Sequence, residues 1–167
     1  MDYFLFMKKK GVCAYTQADV KMIRRFKDTD REIFIEMAEE FYSSPAVLHS
    51  IPISRHSDTF DEIIKGGCYL DGYMFEYEGQ PAGFGVTAKT YSPEAGGIVI
   101  WVEDLYIRPQ FRSKGLGRLL FEELERNGDP RLKRIRLEVE EGNIKAISLY
   151  KRLGFRHLPY GQMVKEL

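Results

Sequence analysis

Glu103-Asp104-Leu105-Tyr106-Ile107-Arg108-Pro109-Gln110-Phe111-Arg112-Ser113-Lys114-Gly115-Leu116-Gly117 decides how the chain is read. The apolar run Ile98-Val99-Ile100-Trp101-Val102 feeds into it and reads as a strand too uniformly apolar to lie at an exposed edge. After Arg108-Pro109 the chain turns polar and cationic, and a helix follows from Gly115 to about Asn127 with Leu116, Leu119, Leu120, Phe121 and Leu124 on one face. A helix start leaves its first backbone N–H groups unpaired and carries partial positive charge. A strand–loop–helix junction bearing Arg108, Arg112, Lys114 and Arg118, with Gly115 and Gly117 giving access to the backbone, therefore suits a phosphate. The spacing Arg112-x-x-Gly115-x-Gly117 lacks the G-K-[ST] ending of a P-loop and is too short for the G-x-G-x-x-G dinucleotide fingerprint. By itself it is equally a tight turn with solvated basic residues.

One strand later comes Asn143-x-x-Ala146-x-x-Leu149-Tyr150-x-x-Leu153-Gly154-Phe155. Asn143 takes the N-cap position of a helix from Ile144 to about Leu153, and Ala146, Leu149, Tyr150 and Leu153 share one face. Taken together, the two segments resemble the cofactor motifs of the GNAT superfamily of N-acetyltransferases. Arg112, Gly115 and Gly117 meet the first motif, and Asn143, Ala146, Leu149, Tyr150, Gly154 and Phe155 the second. The element order from residue 22 onward agrees with that family.

The resemblance implies acetyl-CoA as co-substrate, with the amides of Ser113, Lys114, Gly115, Leu116 and Gly117 on its pyrophosphate beside Arg112. Main-chain groups of Leu105 and Ile107 would pair with the pantetheine arm as an added strand, and Asn143 would touch the same arm. An amine acceptor arrives protonated at neutral pH and must lose a proton before it attacks. Glu103 is the expected base, directly or through water, with Asp104 second. Tyr150 is the expected acid toward the departing thiolate, since a phenol stays protonated at pH 7. The acceptor would be a small cationic amine such as a polyamine or aminoglycoside, because Glu39, Glu40, Asp58, Asp61 and Glu103 fall near the acceptor region formed by the first two helices. A peptide amine, or a non-catalytic module that senses acyl-CoA, are the other readings.

Working outward, the expected strand Met22–Phe26 precedes a helix over about 30–43, where Thr29 and Glu32 form a capping-box pattern and Phe34, Met37, Ala38 and Phe41 fall at i, i+3, i+4 and i+7. Residues 45–56 read as irregular, and a short helix runs from about Asp58 to Lys65. A hairpin covers 68–91 around the turn Glu78-Gly79-Gln80-Pro81, Arg134–Val139 is a strand, and Phe155–Leu158 and Met163–Leu167 are two final short strands. The expectation is an α+β fold: a mixed, mostly antiparallel sheet with helices on both faces and a central parallel strand pair that splays apart. Residues 1–21 read as a weakly structured leader and 22–167 as a single domain.

The 167 residues carry 25 Lys+Arg against 25 Asp+Glu, and this balance gives no overall pull toward nucleic acid or an anionic membrane. Tyr3–Met7 is too short to span a bilayer, and its charges, Lys8-Lys9-Lys10, follow the apolar run rather than precede it, unlike a signal peptide. The two cysteines, Cys13 and Cys68, form no disulfide framework, which fits a cytoplasmic protein. His49, His56 and His157 stand at no metal-ligand spacing, so no metal is expected. The family resemblance admits a homodimer through the last strands.

Overall fold

The computed structural model describes residues 20–47, 49–126 and 129–166. Its strands are β1 (Lys21–Arg25), β2 (Leu70–Tyr77), β3 (Gln80–Ser92), β4 (Gly97–Ile107) and β5 (Leu132–Leu137). The helices are α1 (Arg31–Tyr42), α2 (Ile53–Ile64), α3 (Leu116–Arg126) and α4 (Ile144–Arg152). The sheet order is β1-β2-β3-β4-β5, antiparallel throughout except for the parallel pair β4–β5, whose connection carries α3. This is the expected α+β architecture. The leader lies almost wholly outside the described residues, as does Cys13, and β1 begins at Lys21, one residue ahead of the expected strand.

Period-two alternation along the strands splits the core into two layers. Met74, Phe84, Val86 and Tyr106 face α1 and α2, where Phe34, Met37, Ala38, Phe60 and Ile63 cover them. Tyr73, Phe75, Tyr77, Ala82, Ile100 and Val102 face α3, and Tyr150 and Leu153 of α4 pack on the same side. The aromatic alternation in β2 is therefore core, whereas Tyr69 lies before the strand and is exposed.

Three expectations change in the details. α1 is not capped by Thr29 and Glu32: buried Asp30 stands at its N-cap position, accepts from the Lys27 backbone N–H at 2.8 Å and pairs with Arg24, which also holds Glu76. Helix α2 starts at Ile53, inside the stretch expected to be irregular. Pro52 precedes the helix rather than breaking it, and His56, polar on paper, is buried at the i, i+4, i+7 spacing with Phe60 and Ile63. The two final strands are absent among the described residues. Phe155 instead turns its ring onto Phe121 and Tyr150, at centroid distances of 5.2 and 5.8 Å. Beyond it, Pro159 and Gly161 interrupt the alternation, and Met163 and Val164 stay exposed.

The expected hairpin forms, but its turn is the two residues Glu78 and Gly79, both at positive φ, 51° and 77°, which matches the twist of its strands, and Gln80 and Pro81 already belong to β3. No described helix is long and apolar enough to cross a membrane.

Candidate active site

The site is built where β4 loses its second neighbour. β4 pairs with β3 along its whole length, but its pairing with β5 runs only from Ile98↔Leu132 to Val102↔Leu137, and β5 ends there. From Glu103 to Ile107 the outer edge of β4 is open. Arg108 N–H bonds to the Ala82 carbonyl at 2.9 Å, so by ladder alternation the even-numbered residues 106 and 108 spend their main-chain groups on β3. The main-chain groups of Leu105 and Ile107 then point into the opening. The Ile107 carbonyl accepts from Arg112 Nε at 2.9 Å, so Arg112 folds back over the end of this edge.

A β-bulge sits at the mouth of the opening. Val86 pairs with Asp104 and Thr87 with Val102, so Glu103 and Asp104 together oppose the single residue Val86. The bulge turns both carboxylates toward the α1–α2 side. Tyr42, the last residue of α1, donates its hydroxyl to Asp104 Oδ1 at 3.0 Å. Burial pushes the Asp104 carboxyl up to about 6, with Glu103 adding to the rise and the Tyr42 hydrogen bond opposing it. Partial desolvation raises Glu103 as well, helped by Glu138, although its side chain reaches solvent. Tyr42 itself is raised, by burial and by its acidic partner. His56 lies under the Tyr42 ring, with centroids 5.2 Å apart, and burial lowers its basicity against the opposing pull of Glu39. The structure thus brings Glu103 and Asp104 together with Tyr42 and His56, two residues that the sequence did not single out. Tyr42 follows the α1 core residue Ala38 by one helical turn, which is the only signal that could have marked it.

Beyond Ile107 a short 3-10 turn, Pro109–Phe111, leads to the start of α3. Ser113 and Gly115 adopt positive φ, 62° and 83°, and this bend lets successive amides face the same way. The N–H groups of Ser113, Gly115, Leu116 and Gly117 donate to no backbone carbonyl among the described residues, leaving a cradle of donors at a helix N-terminus. A Cβ built on Gly117 would lie 3.6 Å from Leu149 and 3.9 Å from Leu105, so Gly117 sits between the open edge of β4 and α4. These groups fit a phosphate-bearing cofactor with an extended arm.

The cationic residues of this segment divide. Arg108 binds Glu40 at 2.8 Å and also pairs with Glu36, tying β4 to α1 with help from the Tyr106 hydroxyl on Glu40 at 3.0 Å. It does not serve the amide cradle. Arg118 pairs with Glu122 one helical turn on, and Lys114 donates to the Tyr77 hydroxyl at 3.0 Å. Two of the five acidic residues expected around the acceptor are also engaged elsewhere: Glu40 as above, and Asp61 in an ion pair with Arg31.

Asn143 caps α4 as read from the sequence, its side chain accepting from Ala146 N–H at 3.3 Å. Tyr150 packs its ring on Phe121 and Phe155, 5.9 and 5.8 Å between centroids, and burial raises its hydroxyl above the ordinary value. Its hydroxyl makes no hydrogen bond among the described residues. Among the described residues no group of three or more His, Cys, Asp or Glu is placed to hold a metal ion.

The chain is similar to known proteins in sequence and in fold. The chain is 29% identical over 146 residues to the thialysine N-epsilon-acetyltransferase of Sus scrofa, covering 82% of this chain and 85% of that protein. It is 32% identical over 84 residues to the spermine/spermidine N(1)-acetyltransferase of Bacillus subtilis (strain 168), covering 48% of this chain and 55% of that one. An aminoglycoside N-acetyltransferase solved in complex with CoA has the same fold, with a TM-score of 0.74 at 17% identity over 90% of this chain and 97% of its own. The sequence pattern of the acetyltransferase (GNAT) family matches residues 31–155, a span that holds α1, the β4 bulge, the open edge, the amide cradle and α4. The chain therefore belongs to the GNAT family of acetyltransferases and is an enzyme of that class.

Proposed function

We propose that this acetyltransferase moves the acetyl group of acetyl-CoA to the primary amine of a small cationic molecule. The observation that carries the reading is the coincidence of three features: the open edge of β4 from Glu103 to Ile107, the carboxylate pair at its mouth and the free amides at the start of α3. In this reading the amides of Ser113 to Gly117 hold the pyrophosphate, with Arg112 and Lys114 adding positive charge beside it. The main-chain groups of Leu105 and Ile107, with Asn143, orient the pantetheine arm. Acetyl-CoA, when bound, supplies a thioester carbonyl for attack.

The protein's own residues then manage protons. A lysine-like ammonium with a pKa of about 10.4 is almost wholly charged at neutral pH, so a carboxylate must accept a proton from it. Asp104, pushed up to about 6, is close to the working pH and is fixed by Tyr42, whereas Glu103 is freer and reaches solvent. In this reading Glu103 is the base that meets the amine, directly or through an intervening water, and Asp104, the second candidate base, is the fixed carboxylate beside it. Tyr150 keeps its proton at neutral pH, since burial raises it, and its Oη donates to the departing sulfur.

Thialysine, polyamine and aminoglycoside acetyltransferases among the similar proteins support an amine acceptor of small size. The test is thiol release from acetyl-CoA across a panel of polyamines, aminoglycosides, lysine-type amino acids and short peptides. Release with a small amine supports the reading, and release with peptides alone replaces the acceptor class. Binding of acetyl-CoA without release from any amine would make the chain a sensor of acyl-CoA.

A further inference from the structure

One buried titratable side chain next to the Tyr42–Asp104 contact takes no part in the mechanism. His56 lies in the first turn of α2 and is only 2% exposed. Phe60, one helical turn on, packs against Phe26 and Phe34 with 5.7 Å between centroids in each case, so α2 is anchored in the same core as α1. That anchor presents the imidazole to Tyr42, and the two ring centroids are 5.2 Å apart at 47°. The imidazole makes no hydrogen bond among the described residues. Burying it in that state costs free energy that a leucine would not, and leucine would serve the stripe of Phe60 and Ile63 equally well. The packing of α2 alone does not account for a flat polar ring at this position.

Tyr42 has a use for such a ring. It is the last residue of α1, half-buried, with no further helical turn to pack beside it. Its other ring contact is with the adjacent Phe41, edge-on at 5.2 Å. The hydroxyl that donates to Asp104 Oδ1 at 3.0 Å stands at the far end of the ring, so a small tilt takes it out of hydrogen-bond reach. Burial holds the His56 imidazole below its ordinary basicity, against the pull of Glu39, so at neutral pH the ring is uncharged and packs as an apolar disc. Glu39 is the charged group that acts on His56, Glu103 acts on Asp104, and Glu138 acts on Glu103 in turn.

We infer that His56 is a positioning residue: its buried ring holds the Tyr42 ring in place and so fixes the Asp104 carboxylate at the mouth of the open edge. The use of this restraint in catalysis rests on the acetyltransferase reading above, whereas the chain of contacts from His56 through Tyr42 to Asp104 exists without any substrate. It gives α2, which supplies no group to the chemistry, a hold on the proton-accepting pair. It also ties the two ends of the α1–α2 connection to each other, since Tyr42 ends the first helix and His56 opens the second.

The experiment compares two ringless variants, His56→Leu and His56→Met, with His56→Phe, which keeps a ring that cannot titrate, each alone and combined with Tyr42→Phe. The Asp104 carboxyl is followed against pH by carbon-13 NMR in the intact chain, and kcat/KM against pH by thiol release from acetyl-CoA with thialysine or spermidine as the amine. The ringless variants should raise the Asp104 titration by about half a unit to one unit, carry the acidic limb of kcat/KM with it and leave the KM for acetyl-CoA in place. Combined with Tyr42→Phe they should add less than about 0.2 unit, because the hydrogen bond they loosen is already gone. His56→Phe should stay within about 0.3 unit of the parent. An unmoved titration in the ringless variants, the same shift with and without the Tyr42 hydroxyl, or His56→Phe displaced as far as His56→Leu overturns the inference and leaves the acetyltransferase reading standing. The expected NMR shifts with no thiol release from any amine support the positioning and overturn the acetyltransferase reading instead. Melting temperatures within a few degrees of the parent separate a loosened hydroxyl from a lost fold.

Discussion

The Tyr42 hydroxyl donates to Asp104 Oδ1 at 3.0 Å and so joins the C-terminal residue of α1 to the bulge of β4. The contact crosses from the first helix to the strand that carries the expected chemistry, 62 residues later in the chain. It fixes one carboxylate of the pair and opposes the upward push of burial on it. Arg108 makes a second tie between the same two elements through Glu40 and Glu36. Together they set the distance between the acceptor side of α1 and the open edge of β4.

Tyr42→Phe removes a hydrogen bond that favours the charged form of Asp104, so the carboxyl should titrate higher than its present value of about 6. The charged form is the active one in this account. The acidic limb of the kcat/KM profile should therefore move upward by about one pH unit. A profile that stays in place would remove Tyr42 from any influence on the site.

Asp104 also predicts how stability varies with pH. Its folded value of about 6 lies above the usual 3.8, so the fold favours the neutral acid. That contribution is complete below about pH 4 and is lost as pH rises through 6. Asp104→Asn, neutral at every pH, should gain stability relative to the parent between pH 4 and pH 8, by on the order of 2–3 kcal/mol. Thermal melts of both proteins at the two pH values measure the difference, and a parallel shift would mean that Asp104 does not titrate abnormally.

Tyr150→Phe preserves the ring contacts with Phe121 and Phe155 and deletes only the hydroxyl. Turnover should fall by about tenfold to a thousandfold with acetyl-CoA affinity nearly unchanged. Equal losses in both would make Tyr150 a binding residue instead of an acid.

Gly117→Trp places an indole between Leu149 and Leu105, where a Cβ alone meets ordinary contacts. The variant should fold with a melting temperature near that of the parent and lose acetyl-CoA binding by at least about tenfold. Undiminished binding would put the arm of acetyl-CoA somewhere other than the open edge of β4.

Much of this architecture was legible because local signals agreed with it. The α1 stripe of Phe34, Met37, Ala38 and Phe41, the Glu78-Gly79 turn and the Asn143 cap each form as their patterns require. The junction from Glu103 to Gly117 was legible for the same reason, since a strand entering a glycine-bearing loop and a helix start has few alternative geometries. The misread parts depend on tertiary partners. His56 looks polar until Phe60 and Tyr42 bury it, so the sequence alone does not mark the first turn of α2 as helical. The last residues alternate like strands, yet Phe155 finds a better partner in Phe121 and the segment beyond has no ladder to join. Nor could spacing reveal that Arg108 turns away toward α1, because its partners Glu36 and Glu40 lie far away in sequence.

The most direct test of the central claim is a calorimetric titration of the intact chain with acetyl-CoA. Saturable binding of one molecule per chain, weakened by Gly117→Trp and unaffected by Tyr150→Phe, is the result predicted. No binding at millimolar acetyl-CoA would contradict the assignment of the β4 edge and the α3 amides, and with it the proposed chemistry.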